Sequence, residues 1–329
     1  SVSLSKLQEK NLVDKKIKNP ITNEDITDIT VTVKKIDNKV EYGISEGPEL
    51  TTGMIPVYYD EADGNWKKAD VTNSNNNWYD YSSQKWANAV TVTSTNRTNL
   101  LSNTITPVGT TIPMSDINTM FVWIPRYKYR IPAGTGSREI YVIFETKNTP
   151  KSNGDAVNEY YTHPAFTFGT DELNGIWVGK FETTGSITNS TTAALTIKPD
   201  SLSVRSQPVK VMYEAVKNTM QGATTTYGFA NDNDIHMMKN MEWGAVEYLS
   251  NSIYGKYGNE SYTGTLKEIY LNNSSGIYTG RSMGTYGGDT NSPKTPTNEY
   301  ISAGNYTYDG KCASIYAGIP ECSVGSVNQ

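Results

Sequence analysis

The sequence contains few of the residues that usually build active sites. Only two histidines and two cysteines occur among its 329 residues, so we expect no His-rich metal site and no Cys/His ligand cluster. A glycine-rich phosphate loop and a nucleophile elbow are also missing from the sequence. No run approaches the roughly 18 apolar residues that a membrane-spanning helix needs. The sequence therefore predicts a chain without a membrane span and offers no catalytic motif.

Charge is scarce as well. The 29 basic and 34 acidic residues give a net charge of −5. This balance lacks the basic surface typical of nucleic-acid-binding proteins, so we expect no nucleic-acid partner. The first residue is Ser1 and no signal peptide is recognisable, which suggests a processed chain or a fragment.

The chain is rich in polar residues and in tyrosine. The chain has 23 tyrosines and 27 glycines but only six phenylalanines, and it is rich in Thr, Ser and Asn. Thr and Tyr favour half-buried strands, whereas Asn and Gly favour tight turns. Cys312 and Cys322 are either two reduced thiols or one disulfide that closes a surface loop of a secreted protein. We favour the disulfide because nothing nearby would activate a thiol.

The density of charge divides the chain. Residues 1–50 hold 17 charged side chains, against 46 in the remaining 279 residues, which indicates a separate N-terminal module. Its pattern predicts a short helix from Ser3 to Asn11 and then a hairpin of strands Ile29–Ile36 and Lys39–Ile44, with a turn at Asp37-Asn38.

Residues 51–115 have an all-β, turn-rich pattern. Ile55–Tyr59 predicts a strand, and Asp63-Gly64 predicts the hairpin turn that leads to Trp66. Trp66, Trp78 and Trp86 have two interpretations: a platform on which sugar rings stack, or core residues of a small sheet, which we favour.

From residue 116 to 329 the pattern is α+β. It predicts three strands, which are Met120–Ile131, Ile140–Glu145 and Gly175–Thr183. It also predicts two helices, which are Val209–Met220 and about Ile235 to Ser250. The first helix has an apolar stripe of Val209, Met212, Val216 and Met220. Asp232 to Asp234 are expected to cap the second helix.

The order of motifs in 116–329 resembles the formylglycine-generating-enzyme-like branch of the C-type lectin-like fold. The sequence FVWIP at 121–125 is similar to the opening strand of that family, and GIWVGKFET at 175–183 is similar to its next strand. Pro208–Met220 and Met237–Trp243 resemble its two helices, the second of which carries a Glu-Trp pair. The resemblance implies an α+β lectin-like domain with two helices and short twisted sheets.

The whole chain also resembles large surface proteins of Gram-positive anaerobes, in which a type IV pilin-like segment precedes such a domain. Three stretches carry this resemblance: Ser3–Thr27, Met54–Val92 and Asp234–Lys256. It implies a pilin-like module at 1–50, a β-rich middle segment at 51–115 and a lectin-like domain at 116–329. The hydrophobic pilin helix is then expected upstream of the sequence, either removed or left out.

The chain departs from the lectin-like family at its end. Family members continue beyond the position of Gln329 into a segment that closes the central sheet, and the catalytic cysteines of the true enzymes lie there. Cys312 and Cys322 precede that position and do not map onto them, so the resemblance implies the scaffold without the oxidase activity. An open sheet edge can be covered by a neighbouring subunit, as in a filament, although a truncated or shortened chain is the simpler explanation.

Several side chains have a functional and a structural interpretation. Glu242 beside Trp243 suits a general acid, but we favour a buried anchor for loop amides, and the same holds for Glu182. We expect His163 to be a loop or packing residue and His236 to lie in the first turn of the second helix, and neither has a nearby Ser or Cys nucleophile in the sequence. Arg126, Lys128 and Arg130 alternate along one strand and predict a solvated face.

We expect no cofactor, with calcium as the alternative, because oxygen-rich clusters suit that ion. The candidates are Asn231–Asp234, which also suits a helix cap, and the loop with Asp289 and Asn291. Tyrosines spaced by Gly, Asn and Ser in the tail share the composition of antibody paratopes and predict a binding surface. They are Tyr278, Tyr286, Tyr300, Tyr306, Tyr308 and Tyr316.

The sequence thus predicts a non-enzymatic, extracellular protein of a Gram-positive bacterial surface. It would be a pilus-like filament subunit or a pilus-associated adhesin that binds through the loops of residues 255–329. The expected partners are other copies or surface subunits, a host protein or a glycan. The alternatives are an enzyme of the formylglycine-generating type and a carbohydrate-binding module that uses the three tryptophans.

Overall fold

Short antiparallel strands dominate the fold, because turn residues interrupt runs of β-branched and aromatic residues throughout the chain. The computed structural model describes residues 2–3, 29–36, 39–131, 140–154, 160–199, 201, 203–204, 207–255, 265–267 and 300–302. Within these residues it contains mostly small antiparallel sheets and three α-helices. The architecture is compatible with the predicted α+β class. No helix of this described part is long and apolar enough to cross a membrane.

The N-terminal sheet consists of β1 (Val2–Ser3), β2 (Ile29–Ile36) and β3 (Lys39–Glu46). Pairing of β2 with β3 confirms the predicted hairpin, although β3 extends past Ile44 to Glu46. Ser3, the expected helix cap, belongs to β1 and pairs with Thr30. The rest of the predicted helix lies outside the described residues.

The central sheet has five antiparallel strands. They are β4 (Ile55–Asp60), β5 (Asn65–Lys68), β6 (Asn88–Val92), β7 (Ile117–Pro125) and β13 (Gly175–Gly179). Their order across the sheet is β13-β7-β6-β4-β5. The predicted turn at Asp63-Gly64 is confirmed, because β4 and β5 pair from Val57 with Lys68 to Asp60 with Asn65. Strands from both 51–115 and 116–329 form this sheet, so it runs across the boundary expected at residue 115.

Helix α1 (Ser94–Leu101) lies in the segment that was expected to be all-β. Its Ser, Thr and Asn residues have weak helix propensity, so tertiary contacts support it. Leu100 is buried beneath the central sheet. Arg97 donates from Nη1 to the carbonyl of Thr224 at 2.7 Å and from Nη2 to the carbonyl of Thr226 at 2.7 Å.

The predicted strand Met120–Ile131 is two strands, because the chain changes neighbours at Arg126. The Arg126 N–H donates to the Asn174 carbonyl, whereas its own carbonyl accepts from the Glu145 N–H. Beyond it, β8 (Tyr127–Arg130) joins a second sheet in the order β10-β8-β9. The other members are β9 (Tyr141–Phe144) and β10 (Tyr161–Thr162).

Three two-stranded sheets and helix α2 complete the β-rich part of the fold. The strand pairs are β11 (Thr167–Phe168) with β12 (Asp171–Glu172), β14 (Thr184–Asn189) with β15 (Thr192–Thr196), and β16 (Thr265–Lys267) with β17 (Tyr300–Ser302). Helix α2 (Val209–Thr219) packs on β14 and β15. Its predicted stripe is wrong at Val209, which is 69% exposed, but Met220 is buried as expected.

Helix α3 (Asn240–Ser250) begins later than the predicted Ile235. The preceding residues form a loop, so Asp232 to Asp234 do not cap the helix and His236 lies outside its first turn. Glu242 caps it instead, because its Oε2 accepts from the Lys239 N–H at 2.8 Å. The residues from Asp232 to Asp234 had suitable side chains for a cap, but the free N–H group at the start of the helix is bonded by the carboxylate of Glu242 in the first turn.

Candidate functional site

Three tyrosines form an aromatic cluster at one end of the β10-β8-β9 sheet. Tyr129 of β8 and Tyr161 of β10 are cross-strand partners, with ring centroids 6.2 Å apart. Tyr248 of α3 packs edge-on against Tyr129 at 4.8 Å. Tyr161 is 48% exposed, and the other two are half-buried. We call these three residues the tyrosine surface.

The base of the tyrosine surface is closely packed. His163 lies below it and packs against Tyr129 at 5.4 Å and Tyr248 at 5.5 Å. Its Nδ1 accepts from the Ala165 N–H at 3.2 Å, and burial lowers the pKa of His163 to about 4. The imidazole is therefore neutral at physiological pH and acts as a packing residue, as the sequence suggested.

Tyr161 is also held from behind. The ring lies directly on the backbone of Gly154, where a Cβ atom would overlap it. The neighbouring Thr162 accepts from the Ser152 N–H at 3.0 Å and donates to Glu145 Oε1 at 2.8 Å. A preorganised aromatic side chain loses little entropy when a partner binds to it.

A buried ionic network fixes the strands beneath the surface. Arg126 is fully buried and donates from Nε to Glu145 Oε1 at 3.1 Å and from Nη1 to Glu172 Oε2 at 2.6 Å. Lys151 completes the network with an ion pair to Glu172 Oε1 at 2.6 Å. The prediction that Arg126 shares a solvated face with Lys128 and Arg130 is thus wrong for Arg126, because the chain turns into the core at that residue.

The phenol group of Tyr129 is uncharged. Burial raises the pKa of Tyr129, and the nearby phenols of Tyr248 and Tyr161 raise it further. Its hydroxyl group therefore stays protonated near neutral pH and can both donate and accept hydrogen bonds. A flat apolar face next to a neutral hydroxyl group suits stacking and hydrogen bonding to a partner.

The structure does not bring the three predicted tryptophans together. Trp78 is 2% exposed, and its Nε1 donates to the Asn88 carbonyl at 2.8 Å. Trp86 packs on Tyr81 in the same core, whereas Trp66 packs on Tyr59 beside a different core. The structure agrees with the favoured interpretation of core packing, and the alternative of a shared sugar platform fails because Trp78 has no open face.

Most of the predicted binding residues lie outside the described residues. These are Tyr278, Tyr286, Tyr306, Tyr308, Tyr316, Asp289, Asn291, Cys312 and Cys322. Tyr300 lies in β17. In the described part, no group of three or more His, Cys, Asp or Glu side chains is placed to hold a metal ion. In the cluster 231–234, Asn233 Oδ1 accepts instead from Thr51 Oγ1 at 2.6 Å.

Two further carboxylates have structural partners. Glu242 accepts hydrogen bonds at the start of α3, in agreement with its predicted anchoring role. Glu182 Oε2 accepts from Ser203 Oγ at 2.5 Å.

Sequence reasoning missed the tyrosine surface. Tyr127 and Tyr129 alternate, and Tyr160 and Tyr161 are adjacent, so an aromatic pattern was present. These tyrosines become neighbours only when β8 pairs with β10 and α3 packs against them.

Comparisons with protein-family models, with curated proteins and with solved structures found no match. The fold and the site by themselves define a mixed α/β protein that carries a closely packed, partly exposed tyrosine surface.

Proposed function

We propose that this chain is a non-enzymatic, extracellular surface protein that binds a partner as an adhesin or as a pilus-like filament subunit. The observation that carries the proposal is the tyrosine surface, in which the exposed ring of Tyr161 packs against the half-buried Tyr129 and Gly154. Tyrosine is enriched at protein interfaces and paratopes because it offers a large contact area at low entropic cost. The lectin-like scaffold and the bacterial surface location, both implied by the sequence resemblance, belong to the same proposal.

Side-chain hydrogen bonds hold the end of β3 and the residues after it against the central sheet. Asn174 Nδ2 donates to Glu46, the last residue of β3, and, at 2.7 Å, to Glu49 Oε1. Trp177 Nε1 donates to the Glu49 carbonyl at 2.7 Å. These contacts attach the end of the N-terminal sheet to β13 of the central sheet and to the residue before it.

A binding experiment with Tyr161 variants tests the proposal. The immobilised full chain is probed with a glycan array, with extracellular-matrix proteins and with its own soluble form. We expect Tyr161→Ala to weaken binding of the partner by about 10-fold or more, as for an aromatic residue at the centre of an interface. Tyr161→Phe should retain most of the affinity, because it keeps the aromatic face.

Tyr213→Ala is the matched control. Tyr213 is 43% exposed on α2 and belongs to a different surface. Equal losses in the two alanine variants, or unchanged binding by Tyr161→Ala, would contradict the role of the tyrosine surface. Antibody labelling of native cells in electron microscopy separates the two forms of the proposal: regular labelled filaments indicate a subunit, and scattered or tip labelling indicates an adhesin.

A further inference from the structure

A histidine lies between two carboxylates in the loop before α3. His236 Nε2 is 2.9 Å from Glu242 Oε1 and 3.1 Å from Oε2. On the opposite side of the ring, Nδ1 is 3.1 Å from Asp234 Oδ2. This second contact is an ion pair rather than an aligned hydrogen bond, since Nδ1 has no partner of hydrogen-bond geometry. The His236 side chain is only 19% exposed.

Glu242 connects this histidine to the helix. Its Oε2 accepts from the Lys239 N–H, and its Oε1 is 3.6 Å from Lys239 Nζ. The charged groups that face His236 are therefore Asp234, Glu242 and Lys239. Two of them are acidic, so the local field favours an imidazolium ion.

The acid-base properties of the pair agree with this geometry. The hydrogen bond to Glu242 raises the pKa of His236 and outweighs burial, with Asp234 adding to the effect and Lys239 opposing it. Burial alone would raise the pKa of Glu242, but hydrogen bonds from His236 and Lys239 lower it instead.

We propose that His236 is a pH-sensitive clasp that holds the loop of residues 231–239 on the first turn of α3. The imidazolium ion donates from Nε2 to Glu242, and its positive charge also attracts Asp234 beside Nδ1. The neutral ring has no charge and only one N–H group, so deprotonation removes the attraction to both carboxylates and weakens the attachment of the loop.

The sign of the pH dependence follows from linkage. A histidine whose pKa is raised in the folded state stabilises that state fully below the unfolded pKa, near 6.5. This stabilisation is lost as the pH rises through the higher, folded pKa. The clasp is therefore closed below about pH 6.5 and is released as the pH rises through the folded pKa of His236.

Release of the clasp changes an adjoining apolar surface. Met237 in the loop is 37% exposed, and Met241 at the start of α3 is 49% exposed. Lys239 Nζ lies 4.4 Å from the centroid of the Phe168 ring, which is also exposed. Movement of the loop alters how these side chains are presented to a partner, independently of the tyrosine surface.

Proton NMR of the full chain tests the first part of the proposal, because the sequence contains only two histidines. We expect the His236 ring protons to titrate above the unfolded value of about 6.5. His163 serves as the internal control, since its pKa of about 4 keeps its signals unchanged across that range. A His236 pKa at or below the unfolded value would overturn the proposal.

Hydrogen exchange tests the motion. After correction for intrinsic exchange rates, protection of residues 231–239 should fall as the pH rises, by about tenfold for each pH unit by which the folded pKa exceeds the unfolded one. His236→Gln should abolish this pH dependence, and Asp234→Asn should reduce it. Asp232→Asn, which changes an exposed carboxylate of the same loop, should leave it unchanged. Constant protection in the parent chain, or the same pH dependence in His236→Gln, would contradict the clasp.

Discussion

Arg126→Met is expected to lower the free energy of unfolding by about 3–5 kcal/mol, because it leaves the Glu145 carboxylate buried without its cation. Glu145 is 3% exposed, and burial already raises its pKa even with Arg126 present. Urea unfolding followed by tryptophan fluorescence measures the loss. A carboxyl whose folded pKa is raised loses stability as the pH rises above its unfolded pKa, so the loss should be larger near pH 8 than near pH 5.

The double variant Arg126→Met/Glu145→Gln separates the charge from the packing. It removes both members of the pair and should recover most of the lost stability, because replacing a buried ion pair as a whole is often close to neutral. The parent network is itself imperfect: Arg126 Nη2 and Glu145 Oε2 are buried with no partner among the described residues. A double variant as unstable as the single one would show that packing by Arg126 dominates. Arg130→Met, at a half-buried position, is the control and should cost about 1 kcal/mol or less.

Gly53→Ala is expected to destabilise the fold by about 3 kcal/mol, as the sum of backbone strain and overpacking. Gly53 has φ +86°, and a Cβ there would lie 2.6 Å from the Gly228 carbonyl oxygen. The two backbones therefore touch, and this contact closes the core that contains Met54, Tyr227 and Phe229. The same unfolding experiment measures the effect.

Gly109→Ala is a closely matched control for this prediction. Gly109 has the same φ of +86°, but nothing lies within 4 Å of a Cβ at that position. It should show only the backbone strain, about 1–2 kcal/mol. If the two alanine variants lose equal stability, the close approach of residues 53 and 228 does not contribute and the proposed contact is wrong.

Local features of the fold were predictable because they depend on neighbours in sequence. The hairpin at Asp63-Gly64 follows from turn chemistry, and the α2 helix follows from apolar spacing that only Val209 violates. The boundaries of α3 were less predictable, because Asp234 and Glu242 both suited a capping role. Helix α1 was missed because its polar residues have little intrinsic preference for a helix, and distant carbonyls hold it through Arg97.

For the candidate site, the sequence predicted the type of residue, tyrosine, but not its position. The sequence indicated that tyrosine is abundant and suited to binding, but it pointed to the tail rather than to Tyr161. Alternation along residues 126–130 predicted that three basic side chains share a solvated face, which fails at Arg126 because the chain leaves one sheet for another there.

The sequence by itself determined a mixed architecture compatible with the α+β class, the hairpins β2–β3 and β4–β5, and the lack of a long apolar helix in the described part of the chain. Only the tertiary structure decided that Trp78 and Arg126 are buried, that Tyr129 and Tyr161 are neighbours and that His236 lies between two carboxylates. The physical reason is the range of the forces. Turn and strand preferences act over a few residues, whereas burial and charge pairing depend on segments that come together only when the chain folds.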